Sequence, residues 1–199
     1  MSKRLFDLVA SFLGLLVLAP VLLGIAIWVK LDSPGPVLFR QVRVGRHGVP
    51  FRIFKFRTMG VDAEREGKLT VGADRRVTRS GRFLRRYKLD ELPQLFDVLR
   101  GTMSLVGPRP EVPEYVNRYP TEIRQLVLSV KPGLTDHASL ALLDESEMLA
   151  QYEDPEEAYV RVLLPKKLAM YCDYVRTRSF SADLAIVWKT LLRIVFRGG

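Results

Sequence analysis

Two carboxylates stand side by side at Asp90-Glu91, directly after the basic cluster Arg85, Arg86 and Lys88. Leu92, Leu95, Phe96 and Leu99 follow at helical spacing, which predicts a helix from about Asp90 to Arg100 with the acidic pair at its start. Asp90 takes the N-cap position, Pro93 is tolerated in a first turn whose amides lack intrahelical acceptors, and Gly101 falls where helices stop. An acidic first turn among basic neighbours also describes an ordinary capped surface helix. The surroundings of the pair argue for chemistry. Gly107-Pro108-Arg109-Pro110 follows closely, and its two prolines stiffen the backbone around one arginine, a phosphate-binding group. Carboxylates, arginines and a helix N-terminus together make a place to hold Mg²⁺ and a diphosphate.

The elements that must position these residues belong to one 199-residue chain, long enough for a real core. Its net charge of +9 calls for an anionic partner: nucleic acid, an anionic membrane surface or a nucleotide. Nucleic acid fits poorly, because no recognised motif occurs and the charge is scattered. Cys172 stands alone, which excludes an intramolecular disulfide framework, and two histidines argue against a Cys/His zinc site. Neither a P-loop nor a Gly-x-Gly-x-x-Gly fingerprint is present.

Leu8 to Val29 is a run of 22 residues without a charge. As a helix it would be roughly 33 Å long, near the hydrocarbon thickness of a bilayer. It is too long for the apolar core of a signal peptide, and no Ala-x-Ala site closes it. Ala19-Pro20 lies near its middle, where proline removes an amide donor and should kink or break the helix. Lys3 and Arg4 precede the run, while Lys30, Arg40, Arg43 and Arg46 follow it. Basic residues on both sides suit a re-entrant segment with both ends on one face, yet a kinked spanning helix fits as well.

Ser33-Pro34-Gly35-Pro36 is a turn. VLFRQVRV and VPFRIFKFRTM then flank Gly45-Arg46-His47-Gly48 and predict a β-hairpin. One face would carry Arg52, Phe54 and Phe56, the other Phe51, Ile53, Lys55 and Arg57. The hairpin suits lipid headgroups, with Lys55 and Arg57 turned toward the acidic pair to bind substrate. Residues 61–79 form a polar loop of the kind used as a lid, and 80–87 a short helix. Helical periodicity continues over 113–130 with a break at Pro120. Lys131-Pro132-Gly133-Leu134-Thr135 reads as a turn, and 140–152 and 154–175 read as helices. His137 is a structural or a site residue; Cys172 is packing. Residues 181–196 predict either a wholly buried helix or an interfacial one with Trp188 at headgroup level.

In this order the residues resemble the small monotopic bacterial phosphoglycosyl transferases, the bacterial sugar transferases. The resemblance runs from Arg4-Leu5-Phe6-Asp7 and the break at Ala19-Pro20 through Ser33-Pro34-Gly35-Pro36-Val37 and Phe54-Lys55-Phe56-Arg57-Thr58-Met59. It continues in Leu89-Asp90-Glu91-Leu92-Pro93-Gln94-Leu95, Met103-Ser104-Leu105-Val106-Gly107-Pro108-Arg109-Pro110 and Lys131-Pro132-Gly133-Leu134-Thr135. It implies a mainly α fold with a small β-hairpin. Residues 1–32 would form a proline-broken re-entrant membrane helix, and 33–199 a catalytic domain on the cytoplasmic face of the bacterial inner membrane, with both termini cytoplasmic.

The implied reaction moves a sugar 1-phosphate from a UDP-sugar to polyprenyl phosphate and releases UMP, the first membrane step of a glycan. By the same resemblance Asp90 is the nucleophile and Glu91 helps to hold Mg²⁺. Lys55, Arg57, Arg85, Pro108, Arg109 and Pro110 are the expected substrate-binding residues; membrane lipid and a second copy of the chain are further partners. Many relatives continue after Thr135 with a Gly-Trp-Ala-Gln-Val-Asn-Gly-Arg-like stretch, whereas here the chain reads Asp136-His137-Ala138-Ser139-Leu140. Sugar specificity therefore does not carry over through that region. The extra N-terminal membrane helices of larger relatives are not in this sequence, which leaves a minimal catalytic unit as the expectation. The contrasting reading is a non-catalytic basic adaptor for anionic lipid, which assigns no task to Asp90-Glu91 or to Arg109.

Overall fold

The computed structural model of the chain describes residues 3–63, 67, 69–142 and 145–196. Met1, Arg197 and Gly199 lie outside them, as do residues 64–66 and 68 of the polar loop and 143–144 of the divergent stretch. Among the described residues the fold is mostly helical with three two-stranded sheets.

Helix α1 (Lys3–Asp32) passes through Pro20 without a gap. The expected break is absent from its helical run: proline costs one backbone bond, and the turns on either side carry the helix on. Ala19 and Pro20 are exposed. A stripe at helical spacing, Asp7, Ser11, Leu15, Leu18, Leu22, Ile25 and Val29, packs on the rest of the chain. The other face leaves Val9, Phe12, Leu16, Val17, Leu23, Ile27 and Leu31 exposed, Leu31 at 80%. Among the described residues α1 is the one helix long and apolar enough to cross a membrane, by length and composition.

Both ends of α1 are fastened by polar side chains. At its start, Arg4 donates to the carbonyls of Val98 (2.6 Å) and Leu99 (2.9 Å). Buried Asp7 accepts from Ser104 Oγ (2.8 Å) and the Leu105 amide (3.2 Å). Lys3 reaches Asp183 at 2.5 Å. At its end, Asp32 accepts from the amide (2.9 Å) and hydroxyl (2.8 Å) of Ser80.

The hairpin exists, but as two short ladders. β1 (Leu38–Phe39) pairs with β4 (Lys55–Phe56), and β2 (Val42–Val44) with β3 (Pro50–Arg52), both antiparallel. The Phe54 amide leaves the sheet to donate to Asp97 Oδ2 at 2.8 Å. That interruption ends the alternation of faces, so Phe56, Arg57 and Thr58 are all buried in succession.

Arg57 is therefore engaged at the end of α1 and not at the acidic pair. Its guanidinium donates to the carbonyls of Pro36 (2.6 Å), Pro34 (2.7 Å) and Ser33 (2.8 Å) and to Ser33 Oγ (2.7 Å), binding the turn that ends α1. Arg57→Met removes every one of these donors, and hydrogen bonds to charged groups are each worth roughly 1.5–3 kcal/mol. We expect it to lower stability by about 2 kcal/mol or more in urea unfolding; an unchanged midpoint would show that the turn holds without the arginine.

Helix α2 (Arg79–Arg86) is capped by Thr78, whose hydroxyl accepts from the Gly81 amide at 3.0 Å. The predicted 90–100 helix divides into a 3-10 turn, Leu89–Gln94, and α3 (Leu95–Arg100), which ends at left-handed Gly101. The Lys131–Thr135 turn is instead largely a strand: β6 (Gly133–Thr135) pairs in parallel with β5 (Ser104–Val106). A Cβ on Gly133 would lie 2.1 Å from the Gly107 nitrogen, so the two chains approach this closely only as glycines.

Helices α4 (Pro113–Val116) and α5 (Thr121–Val127) divide near Pro120, as expected. α6 (His137–Ala141) and α7 (Glu145–Leu149) replace the single 140–152 helix. Residues 155–177 are helical throughout, as α8 (Pro155–Ala158), a π turn (Tyr159–Leu163) and α9 (Leu164–Thr177). α10 (Phe180–Phe196) is half-buried: Ile186 and Asp183 face the core, while Leu184, Trp188 and Leu191 are exposed.

Candidate active site

The acidic pair is held by cations from two sides, Lys55 and Arg109. Asp90 and Glu91 sit in the 3-10 turn and are buried, Asp90 being 2% exposed. Asp90 is not a helix cap. The chain enters the turn through Lys88 in the left-handed region (φ 58°), with no side-chain cap, and this directs the carboxylates inward. The Phe54–Asp97 bond docks β4 beside this turn, so Lys55 Nζ lies 2.8 Å from Asp90 Oδ2 and 3.4 Å from Glu91 Oε1. Arg109 approaches from beyond β5 and grips Glu91 with both terminal nitrogens, Nη1 to Oε2 at 3.0 Å and Nη2 to Oε1. Such a two-pronged pair fixes the guanidinium in orientation as well as position.

Burial pushes the Glu91 carboxyl up, but Arg109, Lys55 and Lys88 outweigh it and hold the pKa well below the usual carboxylate range. The Glu91 charge in turn raises Arg109 well above its ordinary value. Glu91 is therefore a fixed anion whose oxygens are engaged. Asp90 differs: Oδ2 meets Lys55, while Oδ1 is buried with no hydrogen-bond partner among the described residues. A buried carboxylate oxygen without a donor is costly, and it is the atom positioned to meet an incoming electrophile or cation.

Arg85, on α2, bridges Thr58 Oγ1 and Thr70 Oγ1, each at 2.8 Å, and joins the site to the 69–72 loop. Burial lowers its pKa, against which Asp90 favours the charged form. Pro108 and Pro110 are buried on either side of Arg109 and hold it through their carbonyls. Pro108 accepts from the Gly133 amide at 2.9 Å, and Pro110 from Arg43 at 3.0 Å. The two prolines thus position the arginine, and Arg57 lies apart at the end of α1. The structure gathers Lys55, Arg85, Asp90, Glu91 and Arg109.

A cleft of about 280 Å³ opens beside Arg109, lined also by Arg43, Thr70, Lys88, Ser139, Glu145 and Lys167. Below it lies a charge network that sequence reading missed. Lys167 Nζ contacts Glu111 (3.1 Å), Glu145 (3.3 Å) and the Tyr159 hydroxyl (3.2 Å), and Tyr159 donates to Glu111 at 2.6 Å. Glu111 follows the Gly-Pro-Arg-Pro motif directly, which was a usable signal; Lys167 carried none. His137 is exposed on α6, and Cys172 is buried in the core.

No group of three or more His, Cys, Asp or Glu gathers to hold a metal among the described residues. The donor set here is two adjacent carboxylates, one with an orphaned oxygen. That fits Mg²⁺, which uses one or two carboxylates and keeps the rest of its shell for water and phosphate.

The sequence pattern of the family described as bacterial sugar transferase matches residues 1–197. A UDP-glucose:undecaprenyl-phosphate glucose-1-phosphate transferase of Caulobacter vibrioides is 40% identical over 205 residues, covering 96% of this chain and 68% of that protein. An undecaprenyl-phosphate glucose phosphotransferase of Komagataeibacter xylinus is 40% identical over 215 residues, with 98% of this chain and 36% of that protein covered. A UDP-N-acetylgalactosamine-undecaprenyl-phosphate N-acetylgalactosaminephosphotransferase of Aeromonas hydrophila is 35% identical over 196 residues, covering 97% and 43%. The chain thus spans only about a third to two-fifths of the last two.

Proposed function

The chain belongs to the bacterial sugar transferase family, and from that premise we propose that it transfers a sugar 1-phosphate from a UDP-sugar to polyprenyl phosphate. The observation that carries the reading is a buried, otherwise unpartnered Asp90 oxygen among Lys55, Glu91 and Arg109. In the first step an Asp90 oxygen attacks the phosphorus that bears the sugar. An aspartyl P–O bond forms, the bond to UMP breaks, and UMP leaves with its electron pair. In the second, a phosphate oxygen of the lipid attacks the same phosphorus, forms the diphosphate and frees Asp90. Splitting one displacement into two is the advantage of a covalent nucleophile.

Lys55 holds Oδ2 in place and its charge lowers the repulsion between carboxylate and phosphate. Arg109, kept in a fixed orientation by Glu91 and two buried prolines, neutralises charge on the transferring phosphoryl group without reorganising. Mg²⁺ would be held by the open Asp90 oxygen and by a remaining lone pair of Glu91, whose oxygens also accept from Arg109 and Lys55, and would supply positive charge to the diphosphate and the departing UMP.

Membrane association is part of this proposal. The exposed apolar face of α1 is extended by Phe83, which packs on Trp28, and by Phe180, which packs on Phe6, and exposed apolar surface of this kind marks a membrane or partner contact. Both ends of α1 bind the same body, which supports entry and exit at one face; we take that face to be the cytoplasmic one, with both termini on it. Residues 1–32 then serve as a re-entrant anchor and 33–199 as the catalytic domain. The bilayer would hold the lipid phosphate at the height of Asp90, a proximity effect.

The test is incubation of purified protein with Mg²⁺, polyprenyl phosphate and UDP-glucose, UDP-galactose, UDP-N-acetylglucosamine and UDP-N-acetylgalactosamine in turn. We expect UMP from at least one donor. No UMP from any, with folded protein, counts against the reading.

A further inference from the structure

We propose that the cleft beside Arg109 seats the glycosyl group of the nucleotide sugar and that Glu145 reads its hydroxyls; this rests on the transferase reading above. Arg109 belongs at once to the acidic pair and to the cleft wall. A donor whose phosphate sits on Arg109 therefore has its attached groups at the cleft mouth. Those groups are a sugar and a nucleoside, and the lining favours the sugar. A base needs an open ring face, yet the aromatic rings here, Tyr115 and Tyr159, are each only 3% exposed. A sugar needs hydroxyl acceptors, and the cleft offers the Glu145 carboxylate with the hydroxyls of Ser139 and Thr70.

Glu145 is built into position rather than hanging from the surface. Its Oε2 takes a contact from buried Lys167 at 3.3 Å, and Lys167 is itself fixed by Glu111 and Tyr159. That leaves Oε1 for a sugar hydroxyl, with the Glu145 side chain 30% exposed. The cleft is bridged across its two lips, where the Gly72 amide donates to the Ser146 carbonyl at 3.0 Å. Ser139, Leu142 and Glu145, which line it, belong to the stretch where this chain departs from the pattern of many relatives. A carboxylate held over a pocket discriminates by geometry: an epimer that turns its hydroxyl away forfeits a charged hydrogen bond and leaves the oxygen unpaired.

The experiment measures kcat/KM for the four UDP-sugars named above, and inhibition by UMP, in the wild type, Glu145→Gln and Ser139→Ala. UMP carries no sugar and serves as the control for fold and nucleotide binding. Glu145→Gln is expected to lower kcat/KM for the preferred donor by about 10–100-fold, the worth of one charged hydrogen bond. It should compress the preference among donors and leave UMP inhibition within about twofold. Ser139→Ala should change the same ratios more weakly. An unaltered donor profile in both variants overturns the inference and leaves the transferase reading standing. Equal losses for UMP and for every donor also overturn it. A wild type that makes no UMP from any donor removes the transferase reading, and the inference with it.

Discussion

Asp90→Asn is expected to abolish UMP release while leaving the protein folded. Asparagine keeps the shape of the side chain, and its carbonyl can still accept from Lys55, now 2.8 Å from Oδ2. Lys55 also retains Glu91 at 3.4 Å, so neither charge is stranded. The stability cost should stay near about 1–2 kcal/mol, the penalty of one poorly satisfied polar group. The chemical cost is of another order. An amide is a far weaker nucleophile than a carboxylate, and without covalent capture the two-step route closes. Activity should fall by at least about 10³-fold, a loss of more than about 4 kcal/mol in transition-state stabilisation. Trapping offers a second measurement: radiolabelled sugar phosphate should remain on the wild type after denaturation and not on the variant. Full turnover by Asp90→Asn would remove Asp90 from the reaction.

Arg109→Ala should harm both stability and rate. Glu91 is buried and bound at both oxygens, so removing Arg109 leaves it only the longer contact to Lys55, and breaking a buried pair in this way costs up to about 3–5 kcal/mol. Loss of one preorganised charge beside the phosphate should lower kcat by at least about 100-fold. The stability effect has a pH signature. The folded pKa of Glu91 is depressed, so its pair contributes fully above the unfolded value of about 4.5 and is lost as pH falls through the folded one. The stability gap between wild type and Arg109→Ala should accordingly be wide at pH 7 and narrow on acidification to pH 3. A gap independent of pH would mean that the arginine acts through packing alone.

Local features of this fold could be read from residue order because they depend on near neighbours. The helix after the acidic pair, its stop at Gly101, the hairpin and the division near Pro120 all rest on spacing within one or two turns. Failures came where the deciding partner was distant. Nothing around Lys131-Pro132-Gly133 announces a strand, because its parallel partner, β5, lies earlier in the chain and across an intervening pair of helices. Arg57 carried the charge of a substrate ligand, but its acceptors are carbonyls more than twenty residues upstream. Lys167 and Glu111 stand 56 positions apart, so neither predicted the other. In the candidate site, the carboxylate pair and Arg109 were recognisable as chemistry, whereas the cleft and its buried network required tertiary contacts to be seen.

The fastening of α1 at both ends has a consequence for how the molecule is made. The helix leaves the ribosome before any of the segments that hold it. Asp7 waits for Ser104, and Lys3 waits for Asp183, 180 positions later. Through most of translation the apolar segment has no protein surface to rest on, and in water it would draw nascent chains into aggregates. On the membrane reading proposed above, lipid would shelter it during that interval. The carboxylate turn can reach its finished geometry only after Arg109 has emerged, so nascent chains stalled before β5 should already sediment with membranes and yet show no reactive aspartate.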